Sequence, residues 1–78
     1  MKLGIAWDPA ALFVFYRLPV HAATLVDRVV IRFAETGEGT LEWVAPYYRL
    51  QAGGFDVVLA IDTHAQTLTV LRLYRART

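Results

Sequence analysis

Apolar and polar positions alternate along this chain with two periods, and the switch between them sets out the fold. Leu3, Ile5 and Trp7 open it as a short apolar segment, which predicts a strand over Lys2–Trp7. Asp8-Pro9 then marks a helix start: Asp caps free amides, and Pro has no N–H to lose in the first turn. That helix runs from about Pro9 to Arg17 and stops at Leu18-Pro19, since a residue before Pro is pushed out of the α region. A second helix is predicted over Val20–Thr36. Ala22, Val26, Val29 and Phe33 form its apolar stripe, Thr24, Arg28, Arg32 and Glu35 lie mostly opposite, and Gly37 ends it.

Period two follows. Gly37–Pro46, with two Gly, one Pro and two acids, reads as a connector. Strands are predicted over Tyr47–Ala52, Phe55–Asp62 and Thr67–Arg75. Gly53-Gly54 provides a tight hairpin turn, and that turn sets Gln51 across from Asp56 with Arg49 diagonal to it. The last strand is apolar at both parities, with Leu68 and Val70 on one and Leu71 and Leu73 on the other. A central strand covered on both faces explains this, as does a bulge that switches faces. The order is β-α-α-β-β-β: an α+β fold with two N-terminal helices on one face of a small, mainly antiparallel twisted sheet.

Composition makes this a single domain spanning 1–78 and rules out several chemistries. The chain is 78 residues long, 56% hydrophobic, and has no Cys. Disulfides and thiolate metal sites are excluded, and two His do not make a structural zinc site. We expect no cofactor and no metal. The longest apolar run, Pro9–Tyr16, falls far short of the ~20 residues of a membrane-spanning helix. The N-terminus is not a signal peptide, so a cytoplasmic protein without membrane contact is expected.

The net charge is only +1, a weak field for gripping a long nucleic acid. Its distribution is uneven. Residues 33–62 hold Arg49 against Glu35, Glu38, Glu42, Asp56 and Asp62, whereas residues 63–78 hold Arg72, Arg75 and Arg77 and no acid. Arg suits bidentate contacts to phosphate or carboxylate.

Two blocks of this sequence resemble a known family. One is WDPAA after the first strand, LP between the helices and RFAETGEG at the end of the second. The other is YYRLQAGGFDVVLAIDTHAQTLTVLRLYRAR. Their order and spacing resemble the RelE/ParE superfamily of toxins from bacterial type II toxin–antitoxin systems. The resemblance implies a sheet whose helix-free face forms a groove. It implies growth inhibition by messenger RNA cleavage on the ribosome or by poisoning of DNA gyrase. It also implies neutralisation by an antitoxin protein. RNA cleavage in this family is metal-free attack of a 2′-hydroxyl on the next phosphate, which needs proton transfer and cations around the phosphate.

Carried over by position, the resemblance makes Arg49 and Arg72 the candidate catalytic cations. Arg49, Arg72, Arg75, Arg77, Tyr47 and Tyr74 become the candidate contacts to nucleic acid or partner. The match is incomplete. Asp56 stands where active ribonucleases carry Arg, Tyr47 where they often carry Lys, and Ala76 in the slot that best aligns with another Arg. The chain ends at Thr78, before the extension that supplies an aromatic near the scissile phosphate. These departures make a catalytically inactive, toxin-like scaffold for protein binding or dimerisation the alternative expectation.

The remaining polar residues read as local structure. His21 and His64 are expected in solvent, and Asp62 is expected to organise its own turn. Glu35, Glu38 and Glu42 read as a solvated acidic edge. The first helix is apolar nearly all round, so Leu12, Phe13, Phe15 and Tyr16 are expected to meet an antitoxin or a second copy of the chain.

Overall fold

A computed structural model describes residues 2–76. Its elements are β1 (Gly4–Trp7), α1 (Pro9–Tyr16), α2 (Val20–Thr36), β2 (Leu41–Val44), β3 (Tyr47–Ala52), β4 (Phe55–Asp62) and β5 (Thr67–Arg75). They form one five-stranded sheet in the order β1-β5-β4-β3-β2, with β1 parallel to β5 and the other pairs antiparallel.

Local chemistry sets the helix bounds. The Asp8 carboxylate accepts from the Ala10 amide at 3.0 Å, with Pro9 in the first turn. Gly37, at φ 79°, closes α2 and donates its N–H to the Phe33 carbonyl at 2.8 Å. Pro9 and Pro19 therefore sit at helix starts, where their missing N–H groups leave no hydrogen bond unmade.

The connector reading of residues 37–46 is corrected by β2. Leu41–Val44 pairs antiparallel with β3, and a short turn through a cis Ala45–Pro46 bond joins the two strands. Four residues flanked by Gly and Pro carry too little pattern to announce a strand, and the partner strand supplies the order. β1 is also shorter than expected, starting at Gly4.

The mixed parity of β5 comes from a bulge. Val58 pairs with Arg72 and Leu59 with Val70, so Leu71 is an extra residue opposite none. The bulge returns Leu73 to the face that holds Leu68 and Val70, and all three are buried. One apolar cluster joins them to Leu50, Ala52, Phe55, Val57 and Leu59 of the sheet, Ala11 of α1, and Val26, Val30, Phe33 and Ala34 of α2. Both helices therefore lie on one side of the sheet, with α1 against β5 and α2 against β3 and β1.

Candidate functional site

The register assigns the opposite side of the sheet. Glu42 pairs with Arg49, Arg49 with Val58, and Val58 with Arg72, which makes one continuous row across β2, β3, β4 and β5. The next row runs Gln51, Asp56, Tyr74. Paired residues project to the same face, so Arg49 and Arg72 share the helix-free side as the sequence predicts. Two strand spacings separate their backbones, roughly 10 Å. Tyr47 alternates with Arg49 along β3 and joins this side, where it and Tyr74 are both exposed.

Arg49 is held in place here. Its guanidinium forms an ion pair with Glu42, the acid that β2 brings alongside. Glu42 therefore is not part of a free acidic edge. The pairing also differs from an Arg49–Asp56 contact across the hairpin. The Glu42 hydrogen bond chiefly, with the neighbouring Tyr74 hydroxyl and the Glu42 charge, holds the Arg49 pKa above its ordinary value. Asp56 contributes a weaker attraction. The Arg49 Nε is buried and makes no hydrogen bond.

Asp56 is only 7% exposed, the single charged residue among the buried side chains described. No described side chain donates a hydrogen bond to its carboxylate. It lies in a shallow pocket of about 490 Å³ with Arg49, Gln51, Tyr74, Arg75 and Ala76. A second groove of about 270 Å³ adjoins it, where Val44, Pro46, Tyr47 and Val58 meet Arg49, Arg72 and Tyr74. The open face is thus a mixed surface: apolar and aromatic walls, an ion pair, a buried carboxylate and the exposed Arg72.

Arg75 lines the Asp56 pocket from a different row of the sheet than Arg72. It pairs with Phe55, on the helix side, and its guanidinium sits 5.3 Å from the Phe55 ring centroid. Arg77 lies outside the described residues. His64 and His21 are exposed, and Asp62 accepts from the amides of His64 and Ala65 at 3.0 and 3.1 Å, which organises its turn. Glu38 pairs with Arg32 at 3.0 Å.

The four α1 residues divide. Phe13 and Tyr16 are 62% and 75% exposed, beside Val20 at 78%. Phe15 is half-buried against Trp7, with ring centroids 4.8 Å apart, and Leu12 is half-buried. Arg17 covers part of Phe13, its guanidinium 5.3 Å from the ring centroid.

No family model matches the chain, and no curated protein matches it in sequence. Solved structures match it in fold. The isolated RelE toxin of E. coli superposes with a TM-score of 0.80 at 13% identity, over 99% of this chain and 87% of that one. A chain of the archaeal RelE–RelB complex from Pyrococcus horikoshii OT3 gives 0.77 at 11% identity, over 96% of both. A chain of the E. coli RelBE toxin–antitoxin complex gives 0.77 at 15% identity, over 99% of this chain and all of that one. The protein therefore has the RelE toxin fold. Among the described residues, no helix is long and apolar enough to cross a membrane.

Proposed function

We propose that this protein is the toxin of a toxin–antitoxin pair. In this reading it arrests growth when unopposed, and an antitoxin protein holds it in check. The fold supports the reading, because its structural neighbours include RelE chains solved with RelB antitoxins. A shared fold does not fix the chemistry, which has to be argued from the site.

The site favours binding over RNA cleavage. The observation that carries this is the placement of two carboxylates, Glu42 and Asp56, around Arg49. Phosphoryl chemistry needs cations where charge builds in the transition state. Here one cation is already paired, and the adjacent anion repels a phosphate. Among the described residues Arg72, on this face, is outside any ion pair, as is Arg75, which lines the Asp56 pocket. We therefore place the arrest at a protein target of the DNA gyrase kind. Arg49, Arg72, Tyr47 and Tyr74 are the contact residues, and Phe13 and Tyr16 form a separate apolar contact for the antitoxin.

Inducing the gene alone in a bacterium tests this. Growth arrest with DNA-damage signalling and intact transcripts is the expected result. Arrest with transcripts cut inside codons overturns the choice of target and restores the ribonuclease. Normal growth at full soluble expression overturns the toxin and favours the inert scaffold.

A further inference from the structure

We propose that the open edge of β2 joins two copies of this chain, antiparallel about a two-fold axis at Trp43, so that their sheets continue as one. The inference goes beyond the toxin reading and does not depend on it.

The backbone sets the register. β2 is the last strand of the sheet, so one side of it pairs with β3 and the other with no strand among the described residues. The Thr40 carbonyl accepts from the Gln51 amide at 3.0 Å. Along an antiparallel ladder, residues alternate between pointing their N–H and C=O groups at the partner strand and away from it. Counted from Thr40, Glu42 and Val44 point at β3, whereas Leu41, Trp43 and Ala45 point at the open edge. A second β2 centred on Trp43 engages all three. Trp43 exchanges both hydrogen bonds with the partner's Trp43, and Leu41 does so with the partner's Ala45. Centring on Val44 instead leaves Leu41 without a partner. Centring on Glu42 sets two carboxylates face to face, which is destabilising.

The side chains agree with that register. Trp43 is 58% exposed and Val44 47% exposed, and an unpaired edge flanked by an open indole is a template for a further strand. Trp43 packs on Tyr48 with ring centroids 4.9 Å apart, which orients it before any partner arrives. On the helix side of the sheet the axis brings the two indoles together. On the helix-free side it sets Val44 against the partner's Glu42, and the same contact occurs twice. Glu42 is the only ionisable residue of β2, so no like charges meet. The strand is thus complementary to itself, which selects a second copy as the occupant. The partner's Val44 then lies beside the Glu42–Arg49 ion pair and shields it from water. A four-residue strand makes a small interface, below the roughly 1,200 Å² of standard ones, so the dimer is expected to dissociate on dilution.

Sedimentation velocity of the full chain from micromolar to millimolar concentration tests this, with amide hydrogen exchange at both ends of the range. A shift from monomer to dimer is expected, with added protection at Leu41, Trp43 and Ala45. Val44→Glu places like charges opposite each other at two symmetric positions and should weaken the dimer about tenfold, whereas Val44→Lys should strengthen it. Trp43→Cys gives a second readout. Residues paired at the axis are about 5.5 Å apart at Cα, within disulfide reach, and the native chain has no Cys, so oxidation should link two copies. A monomer throughout the range overturns the proposal and leaves the edge to a strand of another protein. So does a dimer indifferent to Val44→Glu, or one whose added protection falls on α1 rather than β2. None of these readouts is growth, so either the dimer or the toxin reading can fail while the other stands.

Discussion

Glu42 and Arg49 face each other across the β2–β3 pair and form an ion pair on the helix-free side of the sheet. That contact determines how much of the positive charge of this face is available to a ligand. Removing the acid while keeping its shape should release the guanidinium. In Glu42→Gln, binding of a single-stranded RNA oligomer, read by fluorescence anisotropy, should strengthen relative to the native chain. The slope of log affinity against log salt should steepen by about 0.7, the value for one additional phosphate contact. An unchanged affinity and slope would mean that Arg49 is not withheld by Glu42.

The β3–β4 hairpin makes a sharper structural prediction. Gly53 adopts φ +62°, and a Cβ added there would overlap Leu25 Cδ2. Gly53→Ala should therefore destabilise the fold through two effects. The left-handed backbone costs an L-residue about 1–2 kcal/mol, and the clash adds to that unless Leu25 moves. Leu25 is 41% exposed, so it can be trimmed at modest cost. Urea unfolding of Gly53→Ala with and without Leu25→Ala separates the two, and the double variant should recover only the steric part.

Leu59 anchors the sheet to the helices and is fully buried. Leu59→Ala should lower unfolding free energy by about 2–5 kcal/mol in the same assay, in line with other buried Leu truncations. A chain of this length has a thin stability margin, so this variant should be close to unfolded at room temperature.

His64 and Asp62 share a turn but should respond differently. Asp62→Ala removes the acceptor of the His64 and Ala65 amides and should cost about 1 kcal/mol. His64→Ala should leave both stability and any growth arrest unchanged, since its side chain lies in solvent. Loss of arrest in His64→Ala would move the functional site away from the Arg49–Arg72 row.

Much of this fold is legible in the sequence because local signals and tertiary packing agree. The Asp8-Pro9 start, the Gly37 stop and the Gly53-Gly54 turn fix element bounds by backbone chemistry that no neighbour overrides. The two parities of β5 also resolve, through the bulge at Leu71. β2 is different. Leu41–Val44 becomes a strand only because β3 is present to pair with it. The missed strand hid the main electrostatic fact of the site, since Glu42 meets Arg49 only through that pairing. Arg75 illustrates the same limit. Its distance from Arg72 along the chain places it in a basic cluster, whereas the register pairs it with Phe55, so it reaches the Asp56 pocket from a different row than Arg72. Asp56, by contrast, is visible as an acid in an unexpected place, but its burial follows from the side chains around it in three dimensions.

The account rests on the helix-free face as the acting surface, and growth after induction of the chain alone tests that most directly. The native chain should arrest growth. The double variant Arg49→Ala, Arg72→Ala should not, at equal soluble level and with an unchanged circular dichroism spectrum. Arg28→Ala, on the exposed side of α2, should arrest growth like the native chain. Arrest that survives in the folded double variant, or that is lost in Arg28→Ala, would contradict the assignment of function to this face.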